Sequence, residues 1–136
     1  QHRIMTIATL RPDGWPQATT VGYVNEDLTL YFLCGLDSQK TANLARDDRV
    51  SLTIDHDTPD LMAITGLSMA AHAQAIADPA EANKVLRMFP LKYPEQNAVP
   101  VPRPTPEDVR IFRVTPTVIS VLDYSKGFGH TELVTC

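Results

Sequence analysis

Short runs of β-branched, aromatic and aliphatic residues, each closed by turn-forming residues, recur along most of the chain. Runs of this length and composition are typical of β-strands. They cover residues 5–11, 16–24, 28–34, 50–55, 61–76, 109–115 and 117–124. Most connections are too short for the crossovers that parallel strands need, so the pattern predicts antiparallel pairing. Because an antiparallel sheet of this size must protect its edges, we expect a mainly β (α+β) fold that closes into a small barrel.

Turn residues fix the order of the first strands. Pro12 presets a turn φ and Gly14 supplies a positive φ, which predicts a β-hairpin between the first two strands. A polar turn at 25–27 then leads into the third strand of a meander. The run 50–55 alternates strictly, so we expect its apolar side chains to face the core.

Two helix starts are recognisable. Ser38 occupies an N-cap position before a helix over 39–46. Asp78 fits an N-cap, with Pro79 at the first helical position and a glutamate two residues later. We expect this second helix to end at or near Pro90.

The remaining segments carry weaker signals. Gly66 lies inside an apolar run, which indicates a bulge or the close approach of another group. The proline-rich stretch 94–106 is predicted to be a linker or an extended loop, and Pro116 to separate the last two strands. The length of 136 residues predicts one domain, 1–136, with 125–136 as a C-terminal tail.

Charge and composition exclude several functions. The net charge of −4 argues against a general nucleic-acid or anionic-membrane partner. No apolar run is long enough to span a membrane. With only two cysteines, Cys34 and Cys136, a reducing cytoplasm is the expected location. Because the chain starts at Gln1, we expect an N-terminal segment to precede it in the complete protein.

The segment from Ser38 to Lys40 is the main candidate for ligand binding. A strand, a tight loop and a helix start leave backbone N–H groups free at the positive end of a helix dipole. Lys40 in the first turn is unfavourable for the helix itself, and facing an anion would explain it. We therefore hypothesise that Ser38, Gln39 and Lys40 bind a phosphate. The alternative is an ordinary capped surface helix with a solvated lysine.

The order of elements and the residues at their joints resemble the split-barrel flavoproteins related to pyridoxamine 5′-phosphate oxidase. The resemblance rests on Ile7-Ala-Thr-Leu-Arg-Pro-Asp-Gly, Pro16, Leu30-Tyr-Phe-Leu, Ser38-Gln-Lys, Asn43-Leu44 and Arg49-Val-Ser-Leu. It extends from about Met5 to about Tyr124. It implies a small antiparallel split β-barrel with two or more short helices at the rim. It also implies flavin mononucleotide (FMN) bound at a homodimer interface.

Positions of the cofactor site follow from the same resemblance. The strand that lies along the flavin corresponds to the segment from Ala18 to Tyr23. Its candidate contacts are Thr19, Thr20, Val21 and Tyr23. Leu33 and Cys34 match the strand end that approaches the ring or ribityl chain. The segment Ser38, Gln39 and Lys40 matches the phosphate-binding Ser-Arg-Lys of the oxidase.

The sequence also departs from the oxidase. Gln39 replaces a frequent arginine, and Ala18 and Tyr23 stand where the oxidase has an arginine and a lysine. These departures favour a small-molecule substrate other than pyridoxamine 5′-phosphate. The resemblance predicts an FMN-dependent oxidoreductase with no catalytic side chain, because the flavin ring carries the redox chemistry. The alternatives are a non-catalytic flavin-binding or sensing protein, or a split barrel that uses a deazaflavin or haem.

Other polar residues are assigned more simply. Asp55, His56 and Asp57 are neighbours on a turn and cannot readily converge on one ion, so no metal site is predicted. His72 is expected to be a buried, hydrogen-bonded residue or an interface residue. Lys126 and His130 could close over the ligand of a partner subunit, or belong to a loose tail.

The apolar surplus in 61–76 and 117–122 exceeds what one small barrel interior needs, which also predicts a homodimer.

Overall fold

The computed structural model describes residues 3–56, 58–93 and 109–136. The strands among them are β1 (Ile4–Leu10), β2 (Pro16–Gly22), β3 (Val24–Glu26), β4 (Thr29–Gly35), β5 (Arg49–His56), β6 (Thr65–Ala75), β7 (Val109–Asp123) and β8 (Thr131–Thr135). The helices are α1 (Gln39–Arg46) and α2 (Pro79–Lys92). Short 3-10 turns lie at Leu61–Ala63 and Tyr124–Lys126.

All strands join one antiparallel sheet. Its order is β2-β1-β5-β6-β7-β4-β3, and β8 pairs with β7 beside the path. The sheet curls until Cα atoms of β2 and β4 lie within 8 Å of each other, although these strands are not paired. The result is a curled half-barrel with two helices, which confirms the predicted mainly β fold class.

The barrel interior forms the principal core. Val50, Leu52 and Ile54 all point inward and are at most 6% exposed, which confirms the alternation read from the sequence. Phe32 on β4 stacks on Phe112 of β7, with ring centroids 5.3 Å apart. These apolar contacts supply most of the stabilisation, at about 25 cal/mol for each Å² removed from water.

Helix α2 covers a second apolar cluster on the outer side of β4. Tyr31 of β4 and Val85 of α2 are both buried there. The side chain of Arg113 forms an ion pair with Glu81 at 2.7 Å and connects β7 to α2. Because β4 is covered on both faces, it is the most enclosed strand of this side of the barrel.

Several boundaries differ from the prediction. The run 16–24 divides into β2 and β3, because Tyr23 ends the pairing with β1 and Val24 pairs with β4. Helix α2 continues past Pro90 to Lys92. The predicted C-terminal tail, 125–136, contains the strand β8.

The predicted break at Pro116 is also wrong, because β7 is continuous over 15 residues. Its register with β6 shifts between Ala70 and Ala71, where Val118 and Pro116 are the partners. Thr117 is therefore the extra residue of a bulge. A proline has no N–H to donate, and a bulge lets the strand continue through it.

Gly66 marks a close approach and not a bulge. A Cβ atom placed on it would lie 2.7 Å from Asp55 Oδ1 and 3.2 Å from the carbonyl oxygen of Ile54. The second distance is to backbone, which cannot readily move away.

The predicted loop 94–106 lies outside the described residues. Within the described ranges, neither helix combines the length and the apolar character needed to cross a bilayer.

Candidate functional site

The loop between β4 and α1 forms a compact cap at one end of the barrel. The Ser38 N–H donates to the carbonyl oxygen of Gly35 at 3.1 Å. Ser38 Oγ accepts from the Thr41 N–H at 3.1 Å and lies 2.9 Å from Thr41 Oγ1. Because the Thr41 hydroxyl donates to Gly35 at 2.8 Å, the Ser38 hydroxyl must donate to Thr41. The Ser38 side chain therefore caps the helix and is hydrogen-bonded to Thr41.

Free donors nevertheless remain at the start of α1. Within the described part of the chain, the backbone N–H groups of Gln39 and Lys40 have no hydrogen-bond partner. The half-buried Lys40 side chain has no partner there either, and the first turn contains no acidic residue. Asp37, one residue before the cap, is exposed. Two N–H groups and one ammonium make a donor set suited to one phosphate group.

Cys34 lies directly behind this helix start. It is 6% exposed, and burial raises the pKa of its thiol. The positive charge of Lys40 and hydrogen bonds with Thr41 and Ser38 offset that rise only in part. A buried neutral thiol suits a packing contact and not a nucleophile. The structure thus places Cys34, Ser38 and Lys40 together.

A buried amide network holds α1 against the barrel. Asn43 is fully buried, and its Nδ2 donates to Thr9 Oγ1 at 3.0 Å and to Gln17 Oε1 at 3.2 Å. Gln39 Nε2 donates to Asn43 Oδ1 at 2.8 Å. The Gln39 side chain therefore turns along the helix toward the barrel with one of its two Nε2–H donors in use, and its backbone N–H remains for a phosphate. Sequence reasoning missed the role of Asn43; the signal was an amide on the inward face of a short helix.

The predicted flavin strand β2 is an edge strand with two different faces. Val21 and Thr19 point inward, whereas Ala18 and Thr20 are exposed on the outer face. Thr19 Oγ1 is buried and has no hydrogen-bond partner among the described residues. An unsatisfied buried hydroxyl is uncommon, and its position beside the open edge of β2 suits an additional polar partner.

Two predicted site residues lie elsewhere. Tyr23 is buried beyond the end of β2, where its ring lies 3.4 Å from Lys92 Nζ. Burial, and secondarily the neighbouring Tyr93, raise the pKa of Tyr23. Leu33 packs in the cluster under α2, on the opposite face of β4 from Cys34. The structure does not bring either residue to Ser38 and Lys40.

Lys126 and His130 both flank Glu132 near the C-terminus. Their nitrogens lie 3.8 and 3.3 Å from Glu132 Oε1; Lys126 and Glu132 are exposed and His130 is half-buried. His130, and then Lys126, lower the pKa of Glu132. Within one subunit this cluster lies at the end of the barrel away from α1, because β8 pairs with the C-terminal half of β7.

His72 is exposed on the outer face of β6, so it is not buried within one subunit, and its assignment as an interface residue stays a prediction. Its Nδ1 lies 2.7 Å from Asp48 Oδ1, as expected for a hydrogen-bonded residue. Gln74 also donates to Asp48 at 3.2 Å. These hydrogen bonds, that of His72 foremost, lower the pKa of Asp48. Of the Asp55, His56 and Asp57 group, the His56 side chain and Asp57 lie outside the described residues.

Two rows of small uncharged residues cross five strands on the outer face of the sheet. Cross-strand register places them in two rows: Thr20, Thr6, Thr53, Ser68 and Ser120, and Ala18, Ala8, Ser51, Ala70 and Val118. Every one of them is at least partly exposed. The sequence signal was the repeated serine, threonine or alanine at alternate strand positions.

Comparison with known proteins identifies the fold. The structure superposes on one described as a putative pyridoxamine 5′-phosphate oxidase from Listeria innocua, with a TM-score of 0.72 and 20% identity over 90% of each chain. A haem-binding protein from Mycobacterium smegmatis gives 0.74 and 20%, covering 98% of this chain and 53% of that one. A haem-storage protein from Vibrio cholerae gives 0.67 and 16%, covering 99% and 87%.

At these identities the superpositions establish a shared fold, in proteins that bear oxidase, haem-binding and haem-storage names. A search of curated proteins found no significant match. At the sequence level, the family model described as pyridoxamine 5′-phosphate oxidase matches residues 1–123. The chain therefore belongs to the pyridoxamine 5′-phosphate oxidase family.

Proposed function

We propose that the protein is an FMN-dependent oxidoreductase that acts on a small molecule as a homodimer. The observation that carries this proposal is the start of α1, where Lys40 and two unpaired backbone N–H groups converge in a chain of this family. This donor set accepts the phosphate of FMN without any rearrangement of the Ser38 cap.

The phosphate would be bound by fewer positive charges than in the oxidase. Lys40 would supply the cation, and the N–H groups of Gln39 and Lys40 would supply two further donors. The dipole of α1 adds favourable interaction with an anion. Tight packing through Asn43 would keep this helix start fixed relative to β2.

The body of the flavin would lie between the end of β4 and the edge strand β2. Thr19 Oγ1 offers an unsatisfied polar atom for it, and Cys34 offers an apolar contact. Thr20 on the outer face would contact the part of the cofactor nearest the partner subunit. When bound, the flavin supplies reversible hydride and electron transfer, while the chain supplies position and exclusion of water.

The homodimer is supported by the outer face of the sheet. Small uncharged side chains across β2, β1, β5, β6 and β7 allow a second sheet to approach closely, and no charge in the two rows would be desolvated. Exposed Leu133 on β8, which pairs with Ser120, extends this surface. A partner seated here would cover the outward side of Thr20 and Ala18, and so would enclose the cofactor.

The proposal is tested by loading the purified protein with FMN and adding a reduced nicotinamide without oxygen. We expect a yellow protein whose flavin absorbance near 450 nm, roughly the value for flavins generally, is bleached by the donor. Bound flavin that dithionite reduces chemically but that no reduced nicotinamide reduces would instead indicate a flavin-binding protein without catalysis. Failure to retain FMN at all would contradict the proposal.

A second candidate function, haem binding, is favoured by one observation. The His72 ring is held through Nδ1 by Asp48, and its Nε2 faces away from that carboxylate on the outer face of β6. Histidines that ligate metals commonly have their other nitrogen bound to a carboxylate in this way. Titration with haem tests it: His72→Ala should abolish a haem absorption band that His130→Ala preserves. Equal spectra for all three proteins would exclude His72 as a ligand.

A further inference from the structure

A second concave site lies at the end of the barrel opposite α1. It is a half-open cavity of about 330 Å³. Its wall is largely apolar and includes Leu30, Ile54, Leu67, Met69 and Val121. This volume is at the lower end of the roughly 300–1,000 Å³ typical of small-molecule sites.

This cavity is separate from the candidate cofactor site. Leu30 at the cavity and Gly35 beside α1 occupy opposite ends of β4. At about 3.4 Å per residue, the strand separates them by roughly 17 Å. The phosphate site at the start of α1 therefore cannot account for the cavity.

The polar part of the lining has one sign of charge. Among the described residues that line it, Asp27 and Asp123 are the only ionisable side chains besides Tyr23, and none of these residues is a lysine, arginine or histidine. Hydrogen bonds from Ser125, and secondarily the nearby Lys126 and His130, lower the pKa of Asp123; Lys126 and His130 are themselves within 4 Å of Glu132. The ionised carboxylates therefore leave the mouth with a negative potential.

Local hydrogen bonds hold the backbone at Asp27 and the side chain of Asp123 in place. Asp27 adopts φ 53° in the turn between β3 and β4, where Asn25 Nδ2 donates to its carbonyl oxygen at 3.1 Å. Asp123 Oδ1 accepts from the Ser125 N–H at 3.0 Å and from the Ser125 hydroxyl at 2.6 Å. Asp123 Oδ2 and the Asp27 carboxylate have no hydrogen-bond partner within the part of the chain that the structure describes. They are free acceptors at the mouth.

We propose that this cavity binds a small organic cation, with an apolar body against Leu30, Met69 and Val121 and an ammonium group at Asp27 and Asp123. The apolar wall favours binding of a hydrocarbon body, and the carboxylates favour binding of a positively charged head group. Binding would not require flavin, so it can be measured whether or not the FMN proposal holds.

Three probes of equal chain length separate shape from charge: hexylammonium, hexan-1-ol and hexanoate, titrated into the flavin-free protein and followed by ¹H–¹⁵N NMR. We expect shift changes at Leu30, Met69 and Val121, with hexylammonium bound roughly tenfold more tightly than the alcohol and hexanoate bound most weakly. That ratio corresponds to about 1.4 kcal/mol, just below the range of about 1.5–3 kcal/mol for one charge-assisted hydrogen bond.

Asp27→Asn and Asp123→Asn test the carboxylates. Asparagine tolerates a positive φ and can still accept from Ser125, so both variants should keep the fold. Each should weaken hexylammonium several-fold and leave hexan-1-ol unchanged. Asp13→Asn, on the hairpin at the other end of the barrel, is the matched control. Equal binding of the three probes, no binding at millimolar concentration, or shifts confined to α1 would overturn the proposal, as would unchanged binding in Asp27→Asn.

Discussion

Replacement of Asn43 by alanine should be the most destabilising change at the candidate cofactor site. It removes three hydrogen bonds: from Gln39 at 2.8 Å, to Thr9 at 3.0 Å and to Gln17 at 3.2 Å. Each contributes about 1 kcal/mol net, and Thr9, which is 2% exposed, would lose a partner inside the barrel. Alanine recovers up to about 0.7 kcal/mol through its higher helix propensity. The expected loss is therefore about 2–3 kcal/mol of unfolding free energy.

Urea denaturation measures this loss, and a thermal melt should show a Tm lower by roughly 6–12 °C, as expected for a domain of this size. Asn83→Ala is the control, because Asn83 is an exposed asparagine in α2 with no side-chain hydrogen bond among the described residues. It should change stability by no more than about 0.5 kcal/mol. Asn43→Asp should also destabilise, since a carboxylate cannot donate to Gln17 Oε1. If Asn43→Ala were as stable as Asn83→Ala, the network would not secure α1.

Three further results are expected. Gly66→Val should lower the unfolding free energy by about 1 kcal/mol or more, because its Cβ would lie 3.2 Å from a backbone oxygen; an unchanged Tm would refute this. Arg49 holds the pKa of Asp47 at about 2, so this carboxylate stabilises the fold above about pH 4 and that contribution is lost as the pH falls toward 2. Asp47→Asn should make the unfolding free energy less dependent on pH in that window; an unchanged pH dependence, measured by urea denaturation, would exclude the contribution. Ala70→Arg should convert a dimer to a 15.0 kDa monomer in sedimentation, whereas Ala77→Arg should not; a wild-type monomer at micromolar concentration would contradict the dimer.

Local patterns predicted much of the fold. Strict alternation located β5, and the turn residues around Gly14 located the first hairpin. The Asp78 cap located the start of α2 within one residue. These elements are specified by near neighbours in the chain, which is why the sequence alone was sufficient.

Most of the features that the sequence did not predict depend on long-range strand pairing. Pro116 interrupts a strand pattern locally, but a bulge opposite Ala70 and Ala71 carries β7 through it. β8 is exposed throughout and forms only because β7 offers an edge. Leu33 and Cys34 are adjacent in sequence, yet the pleat sends them to opposite faces of β4. The first two outcomes depend on contacts that no local pattern encodes, whereas the third follows from strand alternation and could have been predicted from the sequence.

The phosphate site at the start of α1 is the central claim, and flavin titration of Lys40→Ala tests it most directly. Fluorescence titrations with FMN and with riboflavin, which lacks the phosphate, should be compared with those of wild type. Lys84→Ala is the control, because Lys84 forms an ion pair with Glu26 on the surface of α2. Loss of one charge-assisted hydrogen bond, about 1.5–3 kcal/mol, predicts roughly ten- to hundredfold weaker FMN binding in Lys40→Ala. Riboflavin binding should be nearly unchanged; equal losses for both flavins, or no loss for either, would contradict a phosphate at Ser38 to Lys40.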